Sequence, residues 1–296
     1  MAPFITEQAE ALREAGCVVR LFAVEGHGLH GYLRSLPTLK RSIAEFRPDI
    51  VHAHYGLCGL LCTLQHRVPV VVTYHGSDIN DRSVRWFSVL AIHRAAKNVF
   101  VSRQLMQIAG SPRNAAVIPC GVDTRIFHPI DCEEGRSNDG VDTEQHLVLF
   151  AGAFDNPVKD PQLAREVCSL LPGTTLLELK GYSREQVAAL MKATDALLLT
   201  SRSEGSPQVV KEALACGCPV VSVDVGDVKE RISGLPGCYV SRTREPKEIA
   251  DLLRKAICNT AERKNLLDSS LDNRHIASRL IGIYTDILHE HNLQHR

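Results

Sequence analysis

Short apolar runs alternate along this chain with stretches whose apolar positions recur every three to four residues. The first kind predicts strands and the second amphipathic helices. In the first half, strands are predicted over Cys17–Ala23, Asp49–His54, Val68–Tyr74, Asn98–Val101 and Ala115–Ile118. Helices are predicted over Thr6–Ala15, Leu33–Phe46 and Arg82–Ala96. The strand candidates are rich in Val and Ile with little strict alternation, as expected when helices cover both faces of a parallel sheet. The alternation resumes in the second half. Strands are predicted over His146–Ala151, Thr175–Glu178, Ala196–Thr200, Pro219–Val223 and Cys238–Val240, and helices over Pro161–Leu171, Arg184–Ala193, Pro207–Cys216 and Pro246–Cys258. Between the halves, PIDCEEGRSNDGVDTEQH (residues 129–146) has few apolar side chains and predicts a linker or a long exposed loop.

This pattern implies an α/β protein of two doubly wound domains, residues 1–128 and 147–270. A further helix, Leu271–His289, is expected within a carboxyl segment, residues 271–296, that crosses back to the first domain. Ligands of such sheets bind at the carboxyl ends of the strands, so the cleft between two facing sheets is the expected site. The chain opens on a helical stretch, APFITEQAEALREAG, with no strand before it. Doubly wound domains normally begin with a strand, so the first domain is expected to lack its usual first one.

The length of 296 residues suits two domains. Lys plus Arg is 34 and Asp plus Glu is 34, a net charge of zero that speaks against a nucleic-acid binder relying on global charge. The charge is divided unevenly, +5 over residues 1–130 and −5 over the rest. A basic half can attract an anionic substrate or an anionic lipid surface. No apolar run is long enough to span a membrane, and the amino terminus lacks the features of a signal peptide. The ten cysteines sit mostly in apolar surroundings and form no pair of Cys-x-x-Cys motifs, which predicts reduced core residues of a cytoplasmic protein.

The segment ALLLTSRSEGSPQVVKEALACGCPVVSVDVG (residues 196–226) reads as a buried strand, a turn, a helix and a second buried strand. Ser206 is the expected N-cap and Pro207 the expected first helical residue. Gln208 and Val209 would then present backbone N–H groups at the positive end of the helix dipole, an arrangement suited to phosphate. Gly205 lets a ligand approach the backbone. Glu204 stands in the turn and Glu212 farther along the helix. The spacing of the two glutamates carries no weight alone; the strand–turn–helix context does.

SEGSPQVVKEA resembles the signature of the retaining glycosyltransferases of family 4, which have the GT-B fold of two facing Rossmann-like domains. Their mark is two glutamates separated by seven residues, as Glu204 and Glu212 are. RPDIVHAHYG, VPVVVTYHGSD, VIPCGVDTRIFHP and FAGAFDNPVKD fit the same pattern in the same order, so the resemblance covers about the whole chain. It implies that Glu204 bonds hydroxyls of a donor sugar and Glu212 the ribose hydroxyls of a nucleotide. It further implies that the amides around Ser206, Pro207, Gln208 and Val209 hold sugar or diphosphate groups. Lys159 matches the family lysine on the diphosphate, and His75 the histidine beside the reacting sugar. Asp78 closes the His75 loop, and His54 joins it on the acceptor side. The chemistry suits these roles. A carboxylate can take two neighbouring hydroxyls, and a departing nucleoside diphosphate is stabilised by a fixed ammonium and fixed donors. The chain departs from the family where Ala153 replaces an arginine and Cys120 an asparagine, with Arg202 as a substitute for the first by proximity in sequence.

His52 and His54 share a strand face and, with His75, could make a three-histidine zinc site, but no fourth ligand recurs nearby. No Asp-x-Asp motif occurs, so neither a metal nor another cofactor is expected. DRSVRWFSVLAIHRAAK (residues 81–97) places Arg82, Arg85, Trp86 and Arg94 on or near one helix, read either as ordinary packing with solvated arginines or as a peripheral membrane contact. The expected function is a retaining transfer of a sugar from a nucleotide sugar to a glycan or lipid-linked acceptor, at the inner face of the membrane or in the cytoplasm. The alternative is a catalytically impaired nucleotide-sugar-binding relative, if the first strand and its glycine-rich loop are missing.

Overall fold

The computed structural model describes residues 2–24, 28–129, 145–259 and 262–294, so most of the linker expected over 129–146 lies outside the described residues. The chain divides into two compact units, one of residues 1–121 with 270–296 and the other of residues 122–269.

The first unit runs α1 (Pro3–Glu14), α2 (Gly28–Phe46), β1 (Val51–His54), α3 (Gly56–Thr63), β2 (Val70–Tyr74), α4 (Ser77–Asn80), α5 (Arg82–Arg94), β3 (Lys97–Phe100), α6 (Arg103–Ile108) and β4 (Ala115–Val117). The four strands are parallel, in the order β1-β2-β3-β4. The pleat sends Val70, Val72, Tyr74 and Phe100 into a core shared with Leu39 and Ile43 of α2, Leu61 of α3 and Ile92 of α5. Val71 and Val99 face the other way, onto Ala11 and Leu12 of α1.

The second unit runs β5 (His146–Phe150), α7 (Pro161–Ser169), β6 (Thr174–Glu178), α8 (Arg184–Ala193), β7 (Ala196–Leu199), α9 (Gln208–Ala215), β8 (Val220–Val223), α10 (Val228–Ile232), β9 (Tyr239–Ser241) and α11 (Pro246–Ile257). Its five parallel strands take the order β6-β5-β7-β8-β9. Adjacent residues on one strand again face opposite cores. Leu197 and Leu199 pack with Val210 and Leu214 of α9, while Ala196 and Leu198 pack with Leu163 of α7 and Leu253 of α11. The last helix, α12 (Asn273–Gln294), belongs to the first unit, where Ile276, Ala277, Leu280 and Ile287 cover Val71 and Val99.

Two sequence expectations require correction. Cys17–Ala23 is not a strand. The Cys17 amide bonds Leu12 O at the end of α1, and Val18 is 84% exposed. Among the described residues the sheet ends at β1, which pairs only with β2, and no strand links its other edge to this segment. The boundary also moves. Val122 and Phe127 are fully buried in the core of the second unit, which therefore begins at residue 122 instead of 147.

Candidate functional site

In the second unit the turn after β5 and the turn after β7 meet at the carboxyl ends of their strands. Thr200 Oγ1 donates at 2.9 Å to the carbonyls of Lys159 and Asp160, tying the two turns together. Lys159 Nζ reaches Glu204 Oε1 at 2.6 Å, with side-chain exposures of 23% and 14%. Gly152 gives the lysine stem its path, since a Cβ there would lie 2.7 Å from Lys159 Cγ. On the opposite flank Gly226, at φ +58°, lies so close that a Cβ would sit 3.0 Å from Gly205 O and 3.2 Å from Glu204 Cβ. Both glutamate and lysine are thereby held by backbone that has no room for larger residues.

Glu212 lies in the second turn of α9 and is almost wholly buried. Arg184, the first residue of α8, donates from Nη2 to Glu212 Oε1 at 2.5 Å, and its guanidinium lies 4.6 Å from the Phe127 ring centroid. A buried carboxylate needs such a partner, because uncompensated it would carry a large desolvation penalty. Sequence reasoning missed Arg184. Its only signal was its place beside Ser183, whose capping box with Gln186 starts α8.

The expected cap of α9 is corrected. Helical geometry begins at Gln208, Pro207 is the N-cap with φ −63° and ψ 118°, and the Ser206 hydroxyl donates instead to Asp227 Oδ2 at 2.8 Å. Arg202, the substitute considered for the missing family arginine, donates from Nε to Asp160 Oδ2 at 3.1 Å, and Arg244 Nη2 donates to the same oxygen at 2.8 Å. Burial pushes the Asp160 carboxyl up, but these hydrogen bonds outweigh it and hold the group below its ordinary value.

In the first unit His54 ends β1 and His75 follows β2, so parallel pairing places the two together. His54 Nδ1 lies 3.0 Å from His75 Nε2, and His75 Nδ1 faces Cys120 Sγ at 3.6 Å. Phe4 and Tyr55 pack against the His75 ring at centroid distances of 4.9 and 4.6 Å. Desolvation lowers His54 to about 4, keeping its imidazole neutral at ordinary pH. His52 is engaged at both nitrogens, by Tyr284 Oη at 2.6 Å and Thr73 Oγ1 at 2.7 Å. Asp78 is buried and accepts the amides of His75, Gly76 and Gly56 at 3.1, 2.9 and 3.1 Å. Its carboxylate thus shapes the loop that carries His75. Burial raises its pKa, and the three amides offset part of that rise. Among the described residues no group of three or more His, Cys, Asp and Glu is placed to hold a metal ion. The nine described cysteines are all free, and no described helix is long and apolar enough to cross a membrane.

Sequence comparison finds the Glycosyltransferase Family 4 profile over residues 1–126 and the Glycosyl transferases group 1 profile over residues 141–259. The chain is 29% identical over 252 residues to the putative teichuronic acid biosynthesis glycosyltransferase TuaC of Bacillus subtilis, covering 75% of this chain and 63% of TuaC. It is 27% identical over 244 residues to the D-inositol 3-phosphate glycosyltransferase of Mycobacterium marinum, covering 65% of this chain and 52% of that protein. The chain thus spans less than two thirds of either relative. Among solved structures, sucrose-phosphate synthase from Thermosynechococcus elongatus superposes with a TM-score of 0.74 at 15% identity, over 99% of this chain and 92% of that one. Anabaena HepE in complex with UDP and glucose superposes with a TM-score of 0.66 at 18% identity, over 96% and 88%. The two units have the Rossmann-like architecture of the GT-B class.

Proposed function

Because the chain belongs to the family 4, group 1 glycosyltransferases, we propose that it is a retaining, hexosyltransferase-like enzyme that moves a sugar from a nucleotide sugar to a hydroxyl acceptor. The observation that carries this reading is the 2.6 Å contact of Lys159 with Glu204 at the entrance to α9, with Glu212 farther along the same helix. Lys159 pairs with the donor diphosphate as it binds, leaving Glu204 to accept sugar hydroxyls. Glu212, oriented by Arg184, accepts the ribose hydroxyls. As the glycosidic bond breaks, negative charge gathers on the leaving diphosphate, and the Lys159 ammonium and the start of α9 stabilise it.

The acceptor hydroxyl reacts on the face that the diphosphate leaves, and the leaving phosphate takes its proton. No protein carboxylate then forms a covalent intermediate, unlike the retaining glycosidases. Charge neutralisation by Lys159 and the helix start makes the reaction independent of a divalent metal. His75 belongs to the acceptor side, its ring fixed by His54 and Cys120. A glycan acceptor, free or lipid-linked, is our reading; teichuronic acid biosynthesis, the role named for TuaC, supports the glycan, and the UDP bound by HepE supports a uridine nucleotide. The exposed Trp86 and Arg82 of α5 suit a peripheral contact with a membrane holding such an acceptor, on its cytoplasmic side.

The test is an assay of sugar transfer and free-sugar release from a panel of labelled nucleotide sugars, with and without chelator. Retained anomeric configuration in a chelator-insensitive product supports the proposal. An inverted product, or loss of activity on chelation, contradicts the mechanism, and binding without transfer or release favours an impaired relative.

A further inference from the structure

Ser206 and Asp227 both stand where helices begin, and both are residue types that favour the N-cap. Neither acts as one. Asp227 is the N-cap residue of α10 yet makes no side-chain cap bond, and Ser206 precedes a helix whose N-cap is Pro207. Instead the Ser206 hydroxyl donates to Asp227 Oδ2 at 2.8 Å, and Arg231 Nε and Nη2 reach the same oxygen at 2.9 and 2.8 Å. Asp227 is 5% exposed, and its other oxygen, Oδ1, is buried without a hydrogen-bond partner. The positive φ of Gly226 brings this carboxylate against the Glu204–Gly205 turn.

Two starts are open to the sequence Ser206-Pro207-Gln208-Val209. In one, Ser206 caps, Pro207 turns helical, and the hydroxyl oxygen accepts the amide of Gln208 or Val209. In the other, adopted here, Pro207 stays extended at ψ 118° and helical geometry begins at Gln208. We propose that Asp227 is a positioning residue for the donor turn: by anchoring Ser206 Oγ at 2.8 Å it holds that oxygen away from the α9 amides and keeps the helix in the later start. This rests on the reading of the turn as the donor site. A capping oxygen would compete with a sugar or phosphate oxygen for the same amides, so an anchored Ser206 favours the ligand.

The test is amide hydrogen exchange at Val209 by NMR in the full chain without ligand. In Asp227→Ala the freed Ser206 caps the helix, and protection at the Val209 amide rises by about 5- to 30-fold (a cap is worth ~1–2 kcal/mol). Adding Ser206→Ala to that variant abolishes the rise. If the isolated Arg231 prevents folding, Asp227→Ala with Arg231→Met removes both members of the ion pair and is read in the same way. Protection that stays level or falls, or a rise that persists without the Ser206 hydroxyl, overturns the proposal, since a merely structural aspartate would loosen the turn when lost. Exchange is measured on the free protein, so failure to bind any nucleotide sugar would contradict the donor reading and leave this result intact.

Discussion

Arg184 Nη2 lies 2.5 Å from Glu212 Oε1, and this contact joins the first residue of α8 to the second turn of α9. Glu212 is 3% exposed, so it depends on the arginine, whose other face rests on Phe127. Arg184→Met should destabilise the second unit by ~3 kcal/mol or more, because it strands a buried carboxylate. Arg184→Met with Glu212→Leu should recover much of that loss. Urea denaturation of the single and double variants measures both effects.

Lys159 should contribute chiefly to the chemical step. Lys159→Ala is expected to lower kcat by about 10²–10³-fold, as removal of a donor to developing negative charge does. Arginine should rescue it poorly, because the stem passes against Gly152. Gly152→Ala places a Cβ 2.7 Å from Lys159 Cγ, near the root of that side chain, so the lysine must shift from its place beside Glu204. Steady-state kinetics should show a kcat loss of roughly 10-fold, the scale of a ~1.4 kcal/mol loss of transition-state stabilisation, with thermal stability little changed.

Acid should weaken the first unit at the histidine pair. His54 is lowered from 6.5 to about 4 by desolvation, and His52 is also pushed down. Between pH 6.5 and about 4 the unfolded chain binds a proton at His54 that the folded chain excludes, so stability falls as pH falls through that window. The shift at His54 corresponds to about 3 kcal/mol in total. His54→Gln should flatten the stability profile over the same range in pH-dependent thermal unfolding.

Gly56 should tolerate no side chain. A Cβ there would lie 1.8 Å from Ser88 Oγ and 2.8 Å from Ser88 Cα, where α3 crosses α5. The same residue donates its amide to Asp78, and Ser88 Oγ donates to Asp78 O. Gly56→Ala should destabilise the first unit by about 3 kcal/mol through overpacking. Chemical denaturation followed by circular dichroism checks this.

The central strands were legible because they are buried throughout, so Val70–Tyr74, Ala196–Leu199 and Val220–Val223 stand out without alternation. Cys17–Ala23 has the same composition, but composition cannot report whether a neighbouring strand exists to pair with it. The helix Gly56–Thr63 went unrecognised because GLCGLLCT is apolar nearly all round and lacks a 3.6-residue stripe. At the site, the turn around Glu204 was marked by residues adjacent in sequence. Arg184 and Asp227 were not, since each meets its partner across 28 and 21 residues of chain. The Ser206 cap was misread for that reason: the local rule holds until a buried carboxylate from another turn anchors the hydroxyl elsewhere.

Calorimetric titration of the wild-type chain and Glu212→Ala with a panel of nucleoside diphosphates tests the central assignment most directly. One diphosphate should bind the wild type, and the variant should bind it at least 10-fold more weakly, the ~1.4 kcal/mol expected from losing a charged hydrogen-bond acceptor. Equal affinity in the two proteins, or no binding of any diphosphate to the wild type, would contradict it.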